Sequence, residues 1–77
     1  MGYPRPRPKH LAEKLLQIRY KRGMSQSEVA EYLELKDYCV VSKYELNKNE
    51  PPLVVLLAYA KLAGVPVESL IDDQITV

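Results

Sequence analysis

The fold is decided by the stretch Met24-Ser25-Gln26-Ser27-Glu28-Val29. Ser25 and Glu28 stand three positions apart and predict a capping box, in which the Ser25 hydroxyl can accept from the Glu28 N–H and the Glu28 carboxylate from the Ser25 N–H. Met24 and Val29 flank this box and predict an apolar contact across it. The pattern therefore predicts a helix that begins at Gln26.

The residues before this stretch predict a preceding helix. Leu11, Leu15 and Ile18 recur at spacings of four and three, which places them on one side of a helix. This first helix runs to Arg22 and ends at Gly23, because glycine adopts the left-handed conformation that commonly closes a helix.

The residues after the stretch predict a short connection and a third helix. The second helix turns Val29, Ala30 and Leu33 inward, and the connection spans residues 34–36. Asp37 then suits the N-cap of the third helix, because its side chain can accept from a free backbone N–H.

The third helix is expected to pack on one side and expose the other. Tyr38, Val41 and Tyr44 recur at a spacing of three, which predicts that they lie in the core or at its boundary. Ser42 and Lys43 are predicted to face away from the core.

The carboxyl-terminal half predicts two further helices. Residues 47–52 form a loop, because two prolines prevent the third helix from continuing. A fourth helix over 53–63 is apolar on most sides and is predicted to be central and buried. Pro66 suits the first turn of a short fifth helix, and residues 72–77 are predicted to fray. The side chains expected to close the core from the fifth helix are Val67, Leu70 and Ile71.

The composition indicates one small all-α domain. The chain has 77 residues, 47% of them hydrophobic and 27% charged, which suits one compact domain. Cys39 is its single cysteine and His10 its single histidine, so an internal disulfide and a Cys/His zinc site are excluded. Its apolar runs are too short to cross a bilayer and no secretory signal pattern occurs, so we expect a cytoplasmic location and no membrane contact.

Basic side chains are concentrated near the amino terminus. Residues 1–23 carry seven Lys or Arg side chains and one Glu, although the whole chain has a net charge of only +1. A polyanion is one partner for such a region, and a solvated basic surface is the alternative. Pro and Arg alternate at the start of the chain, which predicts a stiff, extended arm. We therefore expect an arm at 1–8, a domain at 9–73 and a tail at 74–77.

Several short motifs follow one another in a characteristic order along residues 11–71. They are Gly23-Met24-Ser25-Gln26, Val29-Ala30, Ser42-Lys43-Tyr44-Glu45, Asn47-Lys48, Leu56-Leu57 and Gly64-Val65. This combination resembles the lambda-repressor-like helix-turn-helix family of the XRE or Cro/repressor type. The resemblance implies a compact five-helix domain in which the second and third helices form the helix-turn-helix.

The chain departs from the family pattern in the turn. Glu34 stands where the family usually has Gly, and the segment between Leu33 and Ser42 is one residue longer. We expect the longer connection to remove the need for a positive φ angle at Glu34. Asn47 replaces the usual Gly after the third helix, which is a milder change because Asn tolerates the left-handed conformation.

The resemblance implies that the third helix, over about residues 37–46, enters the major groove of double-stranded DNA. The implied contact residues are Gln26, Lys36, Tyr38, Cys39, Ser42, Lys43, Lys48 and Asn49, with Arg5 and Arg7 of the arm. Gln26 suits a phosphate because it starts a helix, Lys43 suits guanine or a phosphate, and basic arms suit a narrow minor groove. For each residue the alternative is an ordinary exposed side chain, and for Cys39 a redox switch is a further one.

These features predict a small transcriptional regulator that binds specific DNA sequences as a homodimer, with the contact at the fifth helix and residues 65–77. The alternative is a protein-binding module of the same fold, such as an antitoxin or adaptor, which the acidic Glu34 and Asp37 beside the third helix favour. No catalytic constellation or cofactor fingerprint occurs, so we expect neither enzyme activity nor a cofactor. Asp72 and Asp73 are expected to serve solubility.

Overall fold

The structure is a computed structural model that describes residues 8–75. Its helices are α1 (Leu11–Arg22), α2 (Gln26–Tyr32), α3 (Tyr38–Glu45), α4 (Leu53–Ala63) and α5 (Glu68–Ile71). No strand occurs between residues 8 and 75, so the predicted all-α fold with five helices is confirmed. None of these helices has the length and apolar character needed to cross a membrane.

Side-chain caps set the starts of α2 and α3. The Glu28 N–H donates to the Ser25 hydroxyl at 3.1 Å, and the Ser25 N–H donates to the Glu28 carboxylate at 2.8 Å. At α3 the Cys39 N–H donates to the Asp37 carboxylate at 2.8 Å. Both caps satisfy N–H groups that have no partner within the helix, and both were predicted from the sequence.

The core is built around α1, which contacts α3, α4 and α5, while α2 packs mainly on α3. Every helix contributes at least one fully buried side chain, and the five largest are Tyr59, Leu15, Leu70, Val29 and Val41. Burial of such side chains is the main source of stability in a domain of this size.

The prediction that the fourth helix is buried on most sides is wrong. Leu56, Tyr59 and Ala60 face the core, but Leu53 is 73% exposed and Val54 is 78% exposed. The reason is that α4 packs against α1 and α5 on one side, while no other element described by the structure covers its second side.

The fifth helix is shorter than expected and closes the core with fewer side chains. It is a single turn that begins at Glu68, so Pro66 precedes it and accepts a hydrogen bond from the Ser69 N–H at 3.0 Å. Leu70 is fully buried as predicted, whereas Ile71 is 43% exposed. The buried side of this single turn is formed by Ser69 and Leu70, with Val67 packed against the core before it, so Ile71 lies toward solvent.

The turn after α2 contains a strained residue. Glu34 has a φ angle of 59°, so the expectation that a longer connection avoids a positive φ is wrong. The Leu35 N–H donates to the Ala30 carbonyl at 2.9 Å, a closure that requires a left-handed residue directly before Leu35. The connection therefore keeps a left-handed residue at Glu34 whatever its length. Asn47 closes α3 in the same way, with a φ angle of 61°.

The carboxyl-terminal segment is attached to the start of α1. The Asp73 carboxylate accepts hydrogen bonds from the N–H groups of Lys9 and His10, both at 3.0 Å. The buried Lys14 ammonium donates to the carbonyls of Ser69 and Asp72 at 2.7 and 2.6 Å. The prediction that the chain frays from residue 72 is therefore wrong for residues 72 and 73, and so is the prediction that Asp73 serves solubility. Asp73 thereby acts as a distant cap of α1: it accepts from the N–H of His10, the N-cap residue, whose own side chain makes no cap hydrogen bond. Residues 76 and 77 lie outside the described residues.

We expect Glu34→Gly to stabilise the domain by up to about 1 kcal/mol, because glycine adopts a positive φ angle without steric cost. Unfolding in urea measures the change in the free energy of unfolding. The same substitution at Glu31, inside α2, is the control and should destabilise the domain by about 1 kcal/mol. A Glu34→Gly variant less stable than the parent protein would contradict the account of the turn.

We expect Asp73→Asn to lower the melting temperature at neutral pH but not in acid. The N–H groups of Lys9 and His10 lower the pKa of Asp73. The ionised form therefore contributes stability that is present above the ordinary carboxyl pKa and is lost as the pH falls through the lowered one. Thermal melts of both proteins between neutral pH and about pH 2 test this. Glu68→Gln removes the same charge elsewhere, and an equal pH-dependent gap for it would disprove the cap.

Candidate nucleic-acid interface

One side of α3 carries four of the side chains predicted to contact DNA: Tyr38, Cys39, Ser42 and Lys43. Val41 and Tyr44 are buried on the opposite side, as predicted. Tyr38 is 52% exposed, so its predicted place in the core or at its boundary is wrong. A spacing of three falls about 60° short of a full turn at each step, so Tyr38 lies about 120° from Tyr44 around the axis.

Leu46 extends this side of α3 and was missed by the sequence analysis. Its N–H donates to the Ser42 carbonyl at 2.9 Å, so the helical geometry continues through Leu46. The side chain is 62% exposed and follows Ser42 by four positions and Lys43 by three. That spacing was available in the sequence as a signal. We call Tyr38, Cys39, Ser42, Lys43 and Leu46 the outer face of α3.

A buried ion pair joins α1 to the end of α3. The Arg19 guanidinium donates to the Glu45 carboxylate twice, from Nε at 2.7 Å and from Nη2 at 3.1 Å. Only 13% of the Arg19 side chain and 5% of the Glu45 side chain are exposed. The hydrogen bonds to Glu45, opposed by burial, raise the pKa of Arg19 above its ordinary value. This pair was not predictable from the sequence, because the two residues lie on different helices whose mutual packing no local pattern specifies.

Gln26 connects α2 to the same carboxylate. Its side-chain amide donates to Glu45 Oε1 at 3.1 Å, and the residue is half-buried. The Arg19 guanidinium also donates to the Met24 carbonyl at 3.1 Å, directly before α2. Glu45 therefore joins the start of α2 to the end of α3. The amide of Gln26 keeps a second N–H, which is the group that remains for an external acceptor.

The other predicted contact residues flank the outer face of α3. Lys36 is exposed in the connection between α2 and α3. Lys48 and Asn49 are exposed after α3, and their N–H groups donate to the Lys43 carbonyl at 2.9 and 3.4 Å. These bonds fold the segment back over the end of α3. The predicted arm contacts, Arg5 and Arg7, lie outside the described residues.

Cys39 is a free, exposed thiol on the outer face of α3. The sequence contains no second cysteine, so Cys39 has no disulfide partner within the chain. Between residues 8 and 75, no group of three or more His, Cys, Asp or Glu side chains is arranged to hold a metal ion. The outer face of α3 is thus distinguished by its exposure, by the short side chains of Cys39 and Ser42, and by the flanking Lys36 and Lys48.

This arrangement of α2 and α3 agrees with comparison to known proteins. The family profile described as helix-turn-helix matches residues 15–70. The chain belongs to the helix-turn-helix family. In this family member, α2 and α3 are the two helices of the motif, and the connection between them contains the strained Glu34.

Solved structures share the fold of this helix-turn-helix protein. The P22 c2 repressor protein, solved with a synthetic operator, has a TM-score of 0.74 and 21% identity over 82% of this chain and 94% of its own. The restriction-modification controller protein C.AhdI from Aeromonas hydrophila has a TM-score of 0.69 and 24% identity, over 79% of this chain and 91% of its own. The hypothetical transcription factor NHTF from Neisseria has a TM-score of 0.70 and 26% identity, over 91% of this chain and 86% of its own. No curated protein matches at a significant level.

We expect Glu45→Gln to lower the free energy of unfolding by about 3 kcal/mol, because the buried Arg19 guanidinium loses its counter-charge. Urea unfolding measures the loss. Glu31→Gln on the exposed side of α2 is the matched control and should change stability by less than about 0.5 kcal/mol. Similar losses for the two variants would mean that the ion pair does not stabilise the fold.

Proposed function

We propose that this protein binds specific sequences of double-stranded DNA as a small transcriptional regulator, with α3 in the major groove. The observation that carries the proposal is the outer face of α3, which presents four predicted contact residues and Leu46 on the exposed side of the motif's second helix. A helix of this length extends about 12 Å, comparable to the width of the major groove at about 12 Å.

The proposal assigns different roles to the contact residues. Lys43, in the middle of the outer face of α3, contacts a base edge or a phosphate, and Ser42 allows the close approach that this requires. Lys36 and Lys48 flank the helix on both sides and contact the phosphate backbone, with Asn49 beside Lys48. Gln26 contributes its second amide N–H to a phosphate. Arg5 and Arg7 are proposed for the minor groove.

The comparisons support DNA over the alternative of a protein-binding module such as an antitoxin or adaptor. The similar structures include a repressor in complex with a synthetic operator and a hypothetical transcription factor. The acidic side chains that favoured the alternative are also explained differently, because the Asp37 carboxylate caps α3 and Glu34 belongs to the closure of α2. No specific observation favours the alternative.

We further propose that the protein binds DNA as a homodimer, because one reading helix covers only one half-site. The contact predicted at the fifth helix and residues 65–77 extends onto α4 in this proposal. The exposed apolar side chains there are Leu53, Val54 and Leu57 of α4, which we call the α4 apolar face, together with Ile71 of α5. Leu53 and Ile71 also line a cavity of about 260 Å³ between α4 and α5. A group of exposed apolar side chains of this kind is typical of a protein interface.

The proposal contains no catalytic step, and the family and its repressor relatives support a binding protein over an enzyme. A cytoplasmic location, in the compartment that holds the DNA of a regulator of this type, is part of the same proposal. The division into an arm at 1–8, a domain at 9–73 and a tail at 74–77 also remains a proposal.

Selection of duplexes from a random pool tests the function. We expect an enriched palindrome, because two copies of the outer face of α3 read two half-sites. Lys43→Ala should then weaken discrimination at about one base pair of each half-site, by about 1–3 kcal/mol for a base-edge contact, and should change the melting temperature by only a few degrees. A phosphate contact would instead weaken all duplexes equally.

The matched control for Lys43 is Lys61→Ala, which removes the same charge from the exposed side of α4. This variant should keep the full sequence preference, because Lys61 lies on α4 and not on the outer face of α3. Failure to enrich any sequence, or equal effects of the two lysines on base preference, would overturn the proposed function.

A further inference from the structure

The outer face of α3 has an unusual chemical composition for a surface that reads bases. It holds a phenol, a thiol, a hydroxyl, an ammonium group and the isobutyl group of Leu46. Arginine, which reads guanine with two hydrogen bonds, does not occur on it. Asn and Gln, which read adenine in the same manner, and the carboxylates that read cytosine are also absent from these five positions.

These side chains leave few ways to recognise an A·T pair. In the major groove, adenine offers a donor and an acceptor, whereas thymine offers an acceptor and the C5-methyl group. Among the four bases, that methyl group is the apolar feature of the groove, and apolar side chains recognise it by direct contact. An outer face without amide side chains is therefore suited to contact the thymine of an A·T pair.

Leu46 is the side chain best placed for such a contact. It is 62% exposed and is not among the apolar side chains that pack against the core of the described residues. Its backbone is fixed, because its N–H donates to Ser42 at 2.9 Å and its neighbour Glu45 is held by Arg19. The left-handed Asn47 then turns the chain away from the helix axis. Leu46 is thus presented at the end of α3 by a rigid backbone.

We propose that Leu46 determines part of the sequence specificity by contacting a thymine methyl group in the major groove, so that each selected half-site contains a thymine at that position. This inference rests on the proposed function and adds the chemical group that the protein recognises. Lys43, one turn earlier on the same face, remains available for a neighbouring guanine or phosphate.

Deoxyuridine substitution tests the contact, because uracil lacks only the C5-methyl group of thymine. The probes are the duplexes selected by the parent protein, with each thymine replaced singly by deoxyuridine. We expect one position in each half-site at which the replacement weakens binding of the parent protein about fourfold, the loss for one apolar carbon group. Leu46→Ala should bind both duplexes equally and with the affinity of the parent protein for the deoxyuridine duplex.

Leu53→Ala is the matched control, since it shortens another exposed leucine on the α4 apolar face. It should weaken dimeric binding overall and keep the thymine-to-deoxyuridine ratio of the parent protein. If Leu46→Ala behaves like Leu53→Ala, with an unchanged ratio, Leu46 does not contact the methyl group and the inference fails. Melting curves verify that both variants are folded.

Two outcomes separate this inference from the proposed function. Equal binding of thymine and deoxyuridine duplexes by the parent protein at every position would overturn the methyl contact while leaving sequence-specific DNA binding in place. Selection that enriches no duplex would overturn the proposed function itself.

Discussion

The ion pair between Arg19 and Glu45 is the interaction on which the arrangement of the motif depends. It is almost fully buried, and the same carboxylate accepts from the amide of Gln26, so α1, the start of α2 and the end of α3 meet at one group. Burying two charges costs several kcal/mol per ion, and the bidentate geometry with its additional hydrogen bond offsets that cost. The orientation of α3 relative to α2 is therefore fixed by hydrogen-bond geometry as well as by apolar packing.

This constraint explains how one short helix can pack and remain available for recognition. Val41 and Tyr44 anchor its inner side, and Glu45 locks its final turn. The outer face of α3, exposed apart from the half-buried Ser42, is then available to a partner. A small domain within a chain of 77 residues has little stability in excess, which is consistent with its use of a long-range cap from Asp73 in addition to its core.

Much of the fold was predictable because its signals are local. The capping box at Ser25 and the cap at Asp37 fixed the starts of α2 and α3, and the left-handed Gly23 fixed the end of α1. Interactions between distant residues were not predictable: nothing near Asp73 indicates that it caps α1, and nothing near Arg19 indicates its partner. The outward positions of Ser42 and Lys43 followed from helical spacing, whereas Tyr38 was misplaced because a spacing of three drifts around the axis.

Protection of Cys39 from alkylation tests the central claim, the contact between the outer face of α3 and DNA, most directly. Cys39 is the chain's single cysteine and is exposed on that face, so an alkylating reagent reports on it without any substitution. The account predicts that the rate falls as a selected duplex is added and recovers at high salt, where phosphate contacts are lost. An unchanged rate under conditions at which the duplex is fully bound would show that α3 does not face the DNA.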